Sequence, residues 1–238
     1  HGADGAKLSK RHGALGVEAY RDMGFLPEAL RNYLLRLGWA HGDDEIIPTE
    51  QAIAWFDVDG LGKSPSRFDM TKLTHVNAHY MREADDERLA RLVTPLIEQI
   101  LGQPLSQIAE LRLVKGMGGL KQRAKTIIEL AENALFYTRT LPLPFTEKAT
   151  ALWEKEGKAL AADIADRLDT VSIWEETALE AMIKAFAEER AIKLGDVAQA
   201  VRVGLTGSTI SPSIFEMLAV LGKEESVRRL RGAGGSVS

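Results

Sequence analysis

Two lysines and an arginine fall within five positions at Lys7-Leu8-Ser9-Lys10-Arg11, followed by His12-Gly13 and flanked by Gly2, Gly5 and Gly16. Lysine ammonium groups neutralise phosphate as mobile point charges, a serine hydroxyl adds a hydrogen bond, and glycine lets the backbone approach closely. Such a loop can close over a polyphosphate and stabilise the charge building on a leaving pyrophosphate. It is not a Walker A loop, because G-x-x-x-x-G-K-[ST] is absent. On spacing alone a solvated basic turn fits it as well.

A second cationic group, Lys115, Lys121, Arg123 and Lys125, surrounds Gly116-Met117-Gly118-Gly119. On a helix, Lys121 and Lys125 share a face and Arg123 is turned away. That arrangement suits backbone phosphates on one side and a planar guanidinium reaching an exposed base edge on the other; the plainer alternative is a solvated surface helix. Further on, Ser211-Pro212 reads as a helix N-cap with proline at the first helical position, and Ser213-Ile214-Phe215-Glu216 as a capping box starting two residues later. Either version presents a helix N-terminus whose N–H groups can meet nucleotide acceptors. Arg228, Arg229 and Arg231 near the end read as a solvated helix face, with phosphate contact as the alternative. Trp39, Trp55, Trp153 and Trp174 lie in or beside apolar helical patterns, so core packing is expected of them rather than base stacking.

The elements that must carry these residues are helices. Leu30, Leu34 and Leu37 follow Pro27; Leu89, Leu92, Val93, Leu96, Ile97 and Ile100 form a stripe after Asp85-Asp86; Leu179, Met182, Ile183 and Phe186 form another. No alternating run of comparable length suggests a sheet, so the expected fold class is all-α. Breaks are expected at Gly60-Leu61-Gly62, Gly102-Gln103-Pro104, Gly116 to Gly119, Leu141-Pro142-Leu143-Pro144, Gly195 and Thr206-Gly207-Ser208. Domain boundaries are expected near 85 and 145, giving parts 1–85, 86–145 and 146–238.

With 238 residues and 45% apolar content, the chain can bury substantial cores. It has no cysteine, which excludes disulfides and thiolate metal sites, and its five histidines show no ligand spacing, so no bound metal is expected. No run approaches the roughly 18–20 apolar residues of a membrane span and no secretory signal opens the chain, so a cytoplasmic protein without membrane contact is expected. The net charge of −4 hides an uneven distribution: Lys and Arg outnumber Asp and Glu by three in 87–146, while acidic residues are in excess on either side. A polyanion should prefer that middle segment.

The string Asp4-Gly5-Ala6-Lys7-Leu8-Ser9-Lys10-Arg11-His12-Gly13 resembles the second signature, K-M-S-K-S in its K-L-S-K-R form, of class I aminoacyl-tRNA synthetases, specifically bacterial glutamyl-tRNA synthetases. The likeness continues through Leu26 to Leu34, Leu37-Gly38-Trp39, Lys63-Ser64-Pro65, Phe68-Asp69, Lys72-Leu73 and Asn77. Near the far end it includes Arg202 to Gly207, Ser211 to Glu216 and Leu221-Gly222-Lys223-Glu224. The resemblance implies that glutamate and ATP, with Mg2+ in the intact enzyme, give glutamyl-adenylate and pyrophosphate. The glutamyl group then passes to the terminal adenosine of tRNA(Glu). It also implies a helical stem-contact domain (1–85) followed by a two-part helical anticodon-binding region (86–145 and 146–238). Lys10, assisted by Lys7 within the loop Lys7, Leu8, Ser9, Lys10, Arg11, would contact ATP phosphates. Arg123 is placed as the arginine that discriminates the wobble base, with Gln122 the alternative register; arginine there goes with discrimination against tRNA(Gln), glutamine with tolerance of both. Arg202, Ser211 and Ile214 would line the anticodon pocket, supported by Thr206, Pro212 and Phe215.

The family's first signature, of H-I-G-H type, is not found, and neither is a βαβ pattern to carry it. The sequence reads as starting just upstream of the second signature, and an isolated loop cannot orient ATP against glutamate. No glutamylation by this chain alone is expected, and a monomer is. The rival readings are a non-catalytic helical RNA-binding or adaptor protein and a non-discriminating synthetase that also charges tRNA(Gln). The related glutaminyl family reads its anticodon with β-barrels, which the helical periodicity here disfavours.

Overall fold

A computed structural model of the chain describes residues 15–64 and 66–232. The basic loop from Lys7 to Arg11, Lys10 included, lies outside the described residues. No strand forms among the described residues, and an isolated antiparallel bridge joins Trp39 to Leu61. The all-α expectation therefore holds. The chain divides into two compact units, 1–93 with 124–131, and 94–123 with 132–238.

The first unit holds α1 (Val17–Asp22), α2 (Pro27–Gly38), α3 (Thr49–Trp55), α4 (Met70–Glu83) and the start of α5 (Asp86–Leu101). Pro27 opens α2 at a position where its missing N–H costs nothing. Asp69 caps α4 by accepting the Thr71 and Lys72 N–H groups at 2.8 and 3.2 Å. Phe25, Leu30, Tyr33 and Leu73 form a core cluster, with Tyr20, Met23, Leu37 and Phe68 packed against it. Two buried asparagines tie the helices together. Asn77 Oδ1 accepts the Leu26 N–H at 2.8 Å and its Nδ2 donates to the Lys125 carbonyl at 2.6 Å. Asn32 Oδ1 accepts from the Ile47 N–H and the Tyr80 hydroxyl, both at 2.8 Å.

The second unit holds the end of α5, α6 (Gln107–Lys115), α7 (Met117–Lys121) and the later part of α8 (Ile127–Thr138). Beyond these come α9 (Glu147–Leu152), a π-helical turn Trp153–Gly157, α10 (Lys158–Asp169), α11 (Glu176–Glu189), α12 (Leu194–Thr206), α13 (Ile214–Leu221) and α14 (Lys223–Gly232). Leu179, Ile183 and Phe186 bury one face of α11, as their spacing requires. Gly207 ends α12 at φ +72°, a left-handed position that favours glycine. Its carbonyl accepts the Thr146 N–H at 2.9 Å.

Several local expectations need correction. Gly118 and Gly119 lie inside α7 rather than in a break, and Gly195 lies in the first turn of α12. Helix α7 ends at Lys121 and α8 starts at Ile127, so Lys121 and Lys125 do not share a helix face. Arg229 is no part of a solvated face: its side chain is 0% exposed and donates to Glu225 Oε1 at 2.6 Å and to three backbone carbonyls. Its neighbour Arg231 pairs with Asp166 at 2.8 Å and Asp169 at 3.2 Å. Trp39 and Trp153 are buried as expected, whereas Trp55 and Trp174 are half-buried.

Candidate nucleic-acid interface

In the second unit, three stretches far apart in sequence bring two arginines into electrostatic range of each other. The first is α7 and the turn after it. Gly116 separates α6 from α7, and a Cβ there would meet the ring of buried Tyr137 at 2.2 Å, so only glycine lets the chain pass this close. The five residues of α7 lead into a turn closed by the Arg123 N–H on the Leu120 carbonyl at 3.1 Å. Arg123 is exposed there, and no carboxylate lies within ion-pair distance of it among the described residues.

The second stretch is the C-terminal half of α12, which carries Arg202. Its Nε donates to Ser211 Oγ at 2.9 Å and its Nη1 to Gln199 Oε1, one helical turn back. Both acceptors are neutral. Arg202 is half-buried, also without a carboxylate partner among the described residues. Burial first, and then repulsion from Arg123, hold its guanidinium below the ordinary arginine range. Thr206 closes the helix by donating from Oγ1 to the Arg202 carbonyl at 2.8 Å and accepting the Ser208 N–H at 3.0 Å.

The third stretch runs from Ser211 into α13. Ser211 Oγ, besides receiving Arg202, donates to the Pro212 carbonyl at 2.9 Å. It therefore does not cap a helix; α13 starts at Ile214 with Ser213 in the N-cap place, and the Ser213 side chain makes no capping bond. The capping box is likewise not closed, because Glu216 turns away and accepts the Gly119 N–H at 3.0 Å. Burial pushes the Glu216 carboxyl above the usual range. The Gly119 N–H opposes that shift, Glu176 adds to it, and Arg123 opposes it. Ile214 is 3% exposed and fills core. Pro212 is buried and Phe215 half-buried beside it.

Among the residues expected from sequence, the structure thus joins Arg202 directly to Ser211 and places Arg123 near enough to perturb Arg202. Two participants were missed. Gln199 sits three residues before Arg202 on one helix, a spacing that points to a shared face. Glu216 meets Gly119 across 97 positions, and no local pattern signals that. A half-buried guanidinium held only by neutral oxygens, beside a second cation, still has free donors and uncompensated charge. Such a site suits base carbonyls, ring nitrogens and phosphate oxygens of an unstacked nucleic-acid strand.

Two family matches cover the chain. Residues 76–234 match the family described as "Anticodon binding domain", and residues 1–75 match "tRNA synthetases class I (E and Q), catalytic domain". Among its relatives, a protein named glutamate–tRNA ligase 2 from Rhodospirillum rubrum is 57% identical over 233 residues, covering 98% of this chain and 50% of that protein. One of the same name from Zymomonas mobilis is 54% identical over 231 residues, covering 97% and 48%. This chain spans about half the length of the relatives it matches. Its fold is shared with the crystal structure of a glutamate tRNA ligase from Elizabethkingia meningosepticum in complex with its amino acid, with a TM-score of 0.77 at 24% identity. That match covers 94% of this chain and 47% of that one. The enzyme from Elizabethkingia anophelis gives 0.75, also at 24% identity and with the same coverage. Through residues 76–234 the chain belongs to the anticodon-binding-domain family, and along nearly its whole length it is similar to one half of glutamate–tRNA ligases.

Proposed function

We propose that this chain recognises the anticodon of tRNA(Glu) for a class I ligase that activates glutamate with ATP and transfers it to the tRNA 3′ end. The observation that supports it most is the guanidinium of Arg202, half-buried, held among the described residues by Ser211 and Gln199 alone, and destabilised by burial and by Arg123. In the free protein this arrangement is electrostatically unfavourable. A bound strand supplies the missing acceptors, so the relief appears only on binding.

In this reading Arg202 and Ser211 read one anticodon base as a fixed pair. Ser211 holds the Nε edge and Gln199 the Nη1, while the remaining N–H groups of the fork face the base. Ile214 forms the packed floor beneath them. Arg123, exposed on its turn, reaches the wobble base and disfavours tRNA(Gln). The parts 1–85, 86–145 and 146–238 serve as stem-contact and paired anticodon-binding regions. The Lys7-Leu8-Ser9-Lys10-Arg11 loop holds ATP phosphates, Lys10 foremost and Lys7 assisting, and Mg2+ accompanies the nucleotide. Among the described residues, no group of three or more His, Cys, Asp or Glu could hold a metal ion, and no helix is long and apolar enough to cross a membrane. The protein works as a cytoplasmic monomer.

The test is the affinity of the purified chain for tRNA(Glu) and tRNA(Gln), with Arg123→Gln and Arg202→Ala variants. A well-placed base contact is worth about 1–3 kcal/mol. Arg202→Ala should therefore weaken tRNA(Glu) binding by about tenfold or more, and Arg123→Gln should narrow the gap between the two tRNAs. Equal binding of both tRNAs by the wild type sinks the discriminating assignment. Unchanged affinity in both variants sinks the site.

A further inference from the structure

We propose that Glu216 is a positioning residue for base discrimination: its carboxylate fixes the turn that carries Arg123 relative to the Arg202–Ser211 pair. This rests on the reading of Arg123 and Arg202 given above.

The carboxylate accepts the Gly119 N–H at 3.0 Å from the first turn of α13, three positions after the N-cap residue Ser213. At that place a glutamate following an N-cap serine ordinarily folds back to its own helix. Here it reaches across to α7 instead. The fit is close: a Cβ on residue 119 would come within 2.2 Å of Glu216 Oε2 and 2.3 Å of Oε1, so the contact exists only because residue 119 is glycine. Gly119 and Arg123 are four residues apart, and the Arg123 N–H bond to the Leu120 carbonyl closes the turn between them. Anchoring Gly119 therefore anchors the backbone of Arg123.

At its other end Glu216 is five residues from Ser211, which receives Arg202 at 2.9 Å. One carboxylate thus connects the carriers of both arginines. It does so without neutralising either, since it forms no ion pair with Arg123 or Arg202 and bonds a backbone amide. A half-buried carboxylate that gains no counter-ion is a poor device for stability. It is a good one for fixing the distance between two cations while leaving their donors open to a ligand.

The alternative is a fastener of the bundle with no bearing on selectivity, and a double-mutant cycle separates the two. The purified chain would be titrated with tRNA(Glu) transcript and with the same transcript carrying a changed wobble base, and the ratio of dissociation constants read. If Glu216 positions Arg123, Glu216→Ala should lower the ratio by about tenfold, as Arg123→Gln does, the scale of one lost base contact. In an Arg123→Gln background, Glu216→Ala should change it by less than about twofold. Glu216→Gln, whose amide oxygen can still accept the Gly119 N–H, should keep the ratio. Gly119→Ala, which pushes the carboxylate off by sterics alone, should reproduce Glu216→Ala and covers the case in which that variant folds poorly. If Glu216→Ala and Gly119→Ala weaken both transcripts equally, or act fully in the Arg123→Gln background, the positioning role is overturned while the anticodon reading stands. If Arg123→Gln itself leaves the ratio unchanged, both fall.

Discussion

Replacing Arg229 by methionine keeps most of the aliphatic stem and removes every donor of a side chain that is 0% exposed. The guanidinium makes four hydrogen bonds: to Glu225 Oε1 at 2.6 Å and to the carbonyls of Phe136, Leu205 and Arg139 at 2.7, 2.8 and 2.9 Å. Phe136 is in the last turn of α8, Arg139 lies just past it, and Leu205 is in the last turn of α12. One cation therefore closes the carboxyl ends of two helices, where carbonyls lack intrahelical partners and partial negative charge collects. Each acceptor left dry costs about 1–3 kcal/mol, and breaking a buried charge pair costs about 3–5 kcal/mol in all. Recovered desolvation of the guanidinium and water entry work against the larger sum. A loss of about 3–5 kcal/mol is expected, or about 6–20 °C in the melting temperature at this chain length. Urea unfolding gives the free energy, and hydrogen exchange followed by mass spectrometry locates it. Protection should fall near 132–139 and 200–206 as well as in α14. A loss below about 1 kcal/mol, or deprotection confined to 223–232, would refute the capping argument.

Two further substitutions probe the surroundings of the arginine site. Gly116 has φ −88°, which any residue adopts, so Gly116→Ala is a purely steric change against the Tyr137 ring at 2.2 Å. It should destabilise by about 1–3 kcal/mol in urea melts, and an equal penalty in a Tyr137→Leu background would show that the ring is not the obstacle. Glu216 has its carboxyl raised, chiefly by burial and against the Gly119 N–H, with Glu176 adding to the shift and Arg123 opposing it; Tyr137 stands nearby. A raised acid contributes stability below its unfolded pKa and loses it as pH rises through the folded one. Glu216→Gln should therefore be more stable than wild type at pH 7, with the difference shrinking as pH falls towards 4. A constant difference across that range would contradict the assigned cause.

Most of the helical framework was legible because burial and period coincide. Leu89, Val93 and Ile97 are 0% exposed on α5, as are Leu179 and Ile183 on α11, and each set repeats at helical spacing. The Phe68-Asp69, Lys72-Leu73 and Asn77 string also has a physical account: a ring packed against the core, an N-cap, a core leucine and a buried amide joining two segments. What sequence reasoning missed depends on distant partners. Three glycines within four positions read as a break, yet Gly118 and Gly119 sit in a helix, and Gly116 and Gly119 leave the space that Tyr137 and Glu216 occupy. Ser211 matched an N-cap pattern and instead orients an arginine nine residues away.

Arg202 and Arg229 make the same point about chemistry. Both are arginines in the later helices of the second unit, and burial lowers the pKa of both. Arg229 has Glu225 as counter-ion and three helix-end carbonyls around it, so nearly every donor is satisfied inside the protein and little remains for a ligand. Among the described residues Arg202 has two neutral acceptors, no counter-ion and a second arginine close by. Arg229 is compensated inside the protein, as a structural residue is, and Arg202 is not, as its proposed binding role requires. The run Arg228-Arg229-Leu230-Arg231 looks the more basic of the two in sequence. Yet its charges are directed at Glu225, Asp166 and Asp169. Under the proposed function a strand meets the protein where the sequence pattern is weakest, at two isolated arginines that the fold brings into electrostatic range.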